Sequence, residues 1–327
     1  MTKLMSVLGI VAMLGSMLLV APCQAEEKEK PPIVAPTDAD KALAARALEL
    51  AQKAQGTQGQ ESANFLLNDW PRGCARILAG EQPANAKDLE FARGLIGGIA
   101  DCLQKAPTWP KQLAVDVPYT KQAPVIDGKL DDRAWKKALV LKGAYVLNDT
   151  KCVNNTTWRL MWDEQNLYVG VQCDDAEIVA PKLPHNGDIY NYDCVELFLL
   201  PDLKKGQYWE LEMSASGDLY EAMNTKWGDH WGGAIDYNAH LEGLRYVSLA
   251  QPKTRDGKDT GFTVEMAVPF NQLPGAAKDA RAAAGTQIHF LLARMDKNKD
   301  SFTAYCFRPL LSWTHNIWNY ATMTLKK

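Results

Sequence analysis

Apolar and polar positions change their period once along this 327-residue chain. Between about residues 38 and 105 the apolar ones recur at intervals of three and four. Leu43, Ala47, Leu50 and Ala54 form one stripe, and Leu89, Ala92, Ile96, Ile99 and Leu103 form another. One face of a 3.6-residue helix collects such positions, so the spacing predicts amphipathic helices from Thr37 or Asp38 to about Gln55 and from about Ala86 to Leu103. Thr37 or Asp38 can accept from the unpaired N–H groups of the first turn. The intervening "NFLLNDWPRGCARILAG" predicts one or two short helices broken near Pro71, which lacks an N–H and clashes with the preceding turn. Gly94, Gly97 and Gly98 read as close-packing positions.

Beyond the four prolines of "KAPTWPKQLAVDVPYTKQAP" the period becomes two. "TTWRLMW" and "LYVGVQC" alternate around a "DEQN" turn, and "YWELEMS" and "LYEAMNT" flank "ASGD", the pattern of hairpins. "FTVEMAV", "IHFLLARM", "FTAYCF" and "YATMTL" complete the set. Nine or ten short strands with polar turns predict a mainly β protein: an antiparallel β-sandwich preceded by a small α-helical segment. Within it, Val195–Leu200 of "NYDCVELFLLP" is apolar on both faces and reads as an interior strand. Glu196 stands in line with Phe198 and Leu200, and a carboxylate in such a place needs partners.

The N-terminus predicts export. Lys3, the charge-free run Leu4–Val20 and the small residues of Cys23-Gln24-Ala25 make residues 1–25 a signal peptide cut after Ala25. Residues 26–37 read as a flexible leader, 38–112 as the helical segment and 113–327 as the sandwich. The mature chain is expected in the periplasm or outside the cell, with no membrane span after cleavage. Six cysteines remain (Cys74, Cys102, Cys152, Cys173, Cys194 and Cys306), an even number that fits disulfides in an exported protein. No C-x-x-C or Cys/His cluster has metal-site spacing, which argues against zinc. The net charge of −3 implies no basic face for nucleic acid. With no G-x-S-x-G elbow and no acid–nucleophile carboxylate pair on separated strands, the sequence argues against an enzyme.

The phrases "APVIDGKLDDRAWKKA", "RLMWDEQNLYVGVQCDD", "YDCVELFLLPD", "TGFTVEMAVPFNQL" and "GTQIHFLLARMD", in this order, resemble the family 9 carbohydrate-binding module over about residues 117–327. Each also has a physical reading. "DGKLDDRAW" is a tight turn at Asp127-Gly128 and then a helical turn expected to drive Trp135 into the sandwich end. The resemblance implies a terminal sugar clamped between two aromatic rings, with polar side chains at its hydroxyls. It assigns Glu196 as a sugar ligand and places one aromatic near Tyr190, with Tyr192 close by. The second falls at Trp313, with Trp318 in reserve. Where the family carries an arginine and an asparagine on the next strand, this chain has Glu210 and Glu212. Three carboxylates on adjacent strands repel one another unless a cation is near. A bound Ca²⁺ would answer that, as would Arg294 on the pocket floor or wall. A structural reading of Glu196 pairs it with Arg159 or Arg294. Trp227 and Trp231 of "WGDHWGG" offer a second stacking platform. The expected partner is carbohydrate, with a possible protein partner for the helical segment. A haem-holding electron-transfer sandwich and a cell-envelope scaffold are the alternatives, and an absorption spectrum separates the first of these.

Overall fold

The computed structural model describes residues 31–327, except 58, 69–70, 112, 226–234 and 312–313. The chain divides into two compact units between Trp109 and Pro110.

The first unit holds helices α1 (Asp38–Lys53), α2 (Gln60–Asn68), α3 (Pro71–Ala79) and α4 (Ala86–Lys105). Thr37 and Asn85 cap α1 and α4 through reciprocal capping boxes with Asp40 and Asp88. Arg93 of α4 donates from Nε and Nη2 to the buried Asp40 carboxylate at 2.5 and 2.9 Å. That pair holds the Asp40 carboxyl far below its usual range and ties α1 to α4. Small and branched side chains, Ala47, Ala51, Leu89, Ala92 and Ile96, fill the interior. Gly94 and Gly97 are not close-packing positions: a Cβ at either would meet nothing within 4 Å.

The second unit is all β apart from short 3₁₀ turns. Its strands are β1 (Ala114–Pro118), β2 (Leu139–Val146), β3 (Cys152–Trp162), β4 (Asn166–Asp174), β5 (Cys194–Asp202), β6 (Gln207–Ser214), β7 (Leu219–Thr225), β8 (Ile235–Asp236), β9 (Arg245–Ala250), β10 (Gly261–Pro269), β11 (Gln287–Lys297), β12 (Phe302–Cys306) and β13 (Ala321–Lys326). Hydrogen bonding runs β8-β7-β6-β5-β11-β12-β2-β3-β4-β10-β9, with β13 on β11 and β1 on β13. All pairs are antiparallel except β1 with β13. The short β12–β2 contact joins the two layers of the sandwich. Val195, Leu197, Leu211, Met213 and Leu292 of one layer share a core with Trp158, Leu160, Val169, Val264 and Met266 of the other.

The predicted hairpins form where expected. β2 escapes the alternation test because a bulge at Gly143, with φ 88°, shifts its register against β3 between Lys142 and Ala144. β1 hides among prolines because its parallel partner lies two hundred residues on, at Ala114↔Thr322.

Trp135 does not plug the sandwich end. It lies on the outer face of β3, β4 and β10 with Met161, Tyr168 and Ala267. Its indole N–H donates to the buried Glu265 carboxylate at 2.7 Å, as do the backbone N–H groups of Asp127 (2.8 Å), Gly128 (2.6 Å) and Leu130 (3.3 Å). The "DGKLDDRAW" turn is thus wound around one carboxylate.

Gly261 opens β10 with φ 130°, and a Cβ there would sit 1.9 Å from the carbonyl oxygen of Cys173. That neighbour is backbone and cannot turn aside. Gly261→Ala is therefore expected to cost at least the roughly 1–3 kcal/mol of a strained dihedral, read as a lowered denaturant midpoint.

The six cysteines are all thiols, five buried and Cys152 exposed, so the expected disulfides are not formed. Cys173 and Cys306 are buried strand positions that pack in the core, and Cys194 is buried on the β5 face that carries Glu196. No described helix is long and apolar enough to cross a membrane. The predicted signal peptide and residues 26–30 of the leader lie outside the described residues.

Candidate functional site

The period of two on β5, β6 and β7 sends alternate residues to the face away from the shared core. Antiparallel register then lines them up across strands: Glu196 opposite Glu212, Phe198 opposite Glu210, Tyr220 opposite Glu212 and Ala222 opposite Glu210. Three carboxyl groups thereby meet on one sheet face, as the sequence predicts. Glu196 is 3% exposed and Glu212 1% exposed. Among the described residues neither makes a salt bridge, and one oxygen of each, Oε2, is buried without a hydrogen-bond partner. Burial first, and then the neighbouring Glu210, pushes the Glu196 carboxyl well above the usual carboxylate range. Glu212 is pushed the same way, by burial and then by Glu196 and Glu210. Burial thus favours the protonated form of both, which can donate as well as accept.

Glu210 is differently placed. Asn224 of β7 donates to its Oε2 at 2.9 Å, and His315 Nε2 lies 3.3 Å from its Oε1. The other ring nitrogen of His315, Nδ1, is 2.7 Å from the Tyr208 hydroxyl. His315 also meets Phe198 edge-on at 5.3 Å. The segment that carries it, between β12 and β13, thus covers the Phe198–Tyr208 part of the face.

The loop before β5 closes the other side. Ile189 packs on Tyr220 and Ala222. Tyr190, half-buried on the same 3₁₀ turn, is among the groups whose hydroxyl pKa is raised by burial and by nearby Asp188 and Glu212. Tyr237 meets Tyr220 edge-on at 6.3 Å and is 51% exposed. Tyr190, Tyr220 and Tyr237 thus flank the carboxyl groups, giving flat apolar rings beside donors and acceptors.

Arg294 is not on this face. Ala293 pairs with Glu196, so Arg294 points the opposite way. It is fully buried and donates to Asp175 Oδ2 (3.0 Å), Thr156 Oγ1 (3.2 Å) and the carbonyls of Asn155 and Asp174 (both 3.1 Å), with Asp296 at 3.3 Å. Arg159 pairs with Gly170 and Val140 in the other layer and does not reach Glu196. Neither arginine neutralises the glutamate cluster. Trp313, Trp227 and Trp231 lie outside the described residues. Trp318 is 40% exposed. Sequence reasoning missed Tyr220, Asn224, Tyr237 and His315. Tyr220 and Asn224 left a signal, since they stand four residues apart, with Ala222 between them, on one alternating strand.

At the β7 edge, the buried Glu221 carboxylate accepts the Leu241 N–H at 2.9 Å and lies 2.6 Å from His240 Nδ1, with His185 Nε2 at 3.4 Å. The hydrogen bond to Glu221, then its charge, raises the His240 pKa. A raised folded pKa stabilises the folded state fully below the unfolded value of about 6.5 and loses that contribution as pH rises through the folded value. Protease resistance of the 236–243 loop is expected to fall with pH above neutrality in the wild type, and to be flat in His240→Gln.

The sequence profile described as "Carbohydrate family 9 binding domain-like" matches residues 126–323, more than half of the chain. A curated relative, exoglucanase XynX of Acetivibrio thermocellus, is 28% identical over 165 residues, which are 50% of this chain and 13% of that protein. Among solved structures, a candidate carbohydrate-binding protein from Bacteroides uniformis aligns with a TM-score of 0.52 at 12% identity, over 66% of this chain and all of that one. A family 9 carbohydrate-binding module from Caldicellulosiruptor kristjanssonii in complex with cellotriose aligns over 65% of this chain and 93% of that one, at 17% identity and a TM-score of 0.44.

Proposed function

Since the chain belongs to the carbohydrate family 9 binding domain-like family, we propose that its sandwich unit is an exported, non-catalytic module that holds a sugar or polysaccharide end, accessory to glycan degradation. The observation that carries this is the meeting of Glu196, Glu210 and Glu212 with Tyr190, Tyr220 and Tyr237 on one sheet face inside the matched segment. Sugars present apolar C–H faces and hydroxyl rims, and a site for them needs flat rings and fixed polar groups. In the protonated form that burial favours, Glu196 and Glu212 meet hydroxyls as donors and acceptors alike. Glu210, fixed by Asn224 and His315, adds an acceptor whose position does not depend on the ligand. Trp313, Trp227 and Trp231 are proposed as stacking surfaces on the strength of the family resemblance. The apolar run and the small residues before Glu26 support export, with Glu26 as the mature N-terminus. Residues 113–327 are proposed to be the binding domain and 38–112 a separate helical segment that docks a protein partner.

The test is a glycan screen of the full mature chain with and without calcium. Retention of one class of glycan end is expected, and retention of none would refute the reading. Trp313→Ala should then weaken binding by about 1–3 kcal/mol, the scale for a lost aromatic contact, as read by calorimetry.

A further inference from the structure

The sandwich unit gathers acidic side chains twice, and it treats the two clusters differently. Asp175, Asp193 and Asp296 bring carboxylate oxygens within 4.8 Å of one another. Arg294 lies among them as an internal cation, 3.0 Å from Asp175 and 3.3 Å from Asp296. Asp193 is further satisfied by the backbone N–H groups of Val179 and Lys297. This cluster is complete without a ligand.

The second cluster is not. Cys194 and Glu196 are two residues apart on β5, so their side chains share a face, and Glu212 stands directly opposite Glu196 on β6. Cys194 Sγ and one carboxylate oxygen from each glutamate lie within 4.8 Å of one another, all three residues being buried. Among the described residues no arginine or lysine pairs with this cluster as Arg294 does with the other, and the backbone N–H of Met295 reaches only Cys194. Oε2 of Glu196 and Oε2 of Glu212 are buried with no partner among the described groups. A buried polar atom left unpaired carries a desolvation penalty, and two of them beside a thiol on rigid central strands make a donor set in need of an acceptor of electron density.

We propose that Cys194, Glu196 and Glu212 bind a divalent metal ion of the zinc class. The donor set decides the class. One sulfur with two carboxylate oxygens suits a borderline ion such as Zn²⁺, with bonds of about 2.0–2.3 Å, whereas Ca²⁺ takes six to eight oxygens and has no use for the thiol. Three protein donors leave a fourth position open, as tetrahedral sites with an exchangeable ligand do. Binding the ion deprotonates all three groups, and the ion's own charge then replaces the missing basic side chain of this face. The set escapes the usual spacing test for metal motifs because two donors come from one strand and the third from its neighbour.

The proposal does not depend on the carbohydrate reading, and its test contains no glycan, so either can fail alone. The full chain, stripped of metal by a chelator and kept reduced under inert gas, is titrated with Co²⁺ alone. A second sample is refolded from denaturant in the presence of Co²⁺, since the site is buried. Expected are one Co²⁺ per chain and a thiolate-to-cobalt charge-transfer band in the near ultraviolet. Zn²⁺ should displace the cobalt and excess Ca²⁺ should not. Cys194→Ser should abolish the band, and Glu212→Gln should lower the affinity at least tenfold, with the fold of each checked by circular dichroism. Where the serine variant does not fold, Cys194→Ala takes its place. The absence of a band in both native and refolded protein would overturn the proposal. So would a band that survives loss of Cys194, or an affinity unchanged in Glu212→Gln.

Discussion

Glu265→Ala is expected to destabilise the sandwich unit by about 3–5 kcal/mol, read from the denaturant midpoint at unchanged slope. Four donors converge on this carboxylate: three backbone N–H groups of the 127–130 turn and the Trp135 indole. Each buried donor stranded without a partner costs on the order of 1–3 kcal/mol, and water reaching the loosened turn recovers part of the sum. Leu130 holds a positive φ of 56° in that turn, a conformation that these bonds stabilise. The loss should be local as well as global, with residues 125–135 becoming the first site of proteolysis. Glu265→Gln keeps the shape but turns an amide group toward N–H donors, so an intermediate loss of about 1–3 kcal/mol is expected. A loss below about 1 kcal/mol in the alanine variant would show that the turn is held by packing of Trp135 alone.

Arg294→Met should have an effect of similar size, about 3–5 kcal/mol, for the opposite reason. It removes the cation and leaves the buried Asp175 and the part-buried Asp296 without it, together with the carbonyls of Asn155 and Asp174. Arg294→Lys keeps the charge but not the planar fork that serves several acceptors at once, so part of the loss remains. Affinity for glycan in the folded fraction should not change in either variant. Arg294 points away from the face that holds Glu196, because Ala293 is the residue paired with Glu196. A fall in affinity at constant stability would place Arg294 back in the binding site.

That parity marks where sequence reading stops. Alternation along "YWELEMS" was enough to put Glu210 and Glu212 on one face, since side chains two apart share a face whatever the register, and the short turn from β5 to β6 sets the register that adds Glu196. Placing Arg294 relative to them needs the β5–β11 register, and a shift of one residue reverses every side chain. That register arises from strands almost a hundred residues apart and is not visible locally. His315 and Tyr237 were hidden for a related reason. They sit in irregular segments, where no period says which way a side chain points. The β13–β1 pairing is parallel and long-range, so its proline-rich strand reads as a linker. The hairpins β3–β4 and β6–β7, by contrast, were legible because strand, turn and strand lie together in the sequence.

The central claim is that the sheet face bearing Glu196 binds carbohydrate. It is tested most directly by calorimetric titration of one glycan, chosen from the screen, into wild type and Glu196→Gln, with the melting temperature of both recorded. The amide matches a carboxyl group in shape and cannot exchange its proton with a hydroxyl, so an unchanged melting temperature and an affinity at least tenfold weaker, about 1.4 kcal/mol, are predicted. Equal affinity in the two proteins, with or without a change in melting temperature, would contradict the claim and leave Glu196 a structural residue.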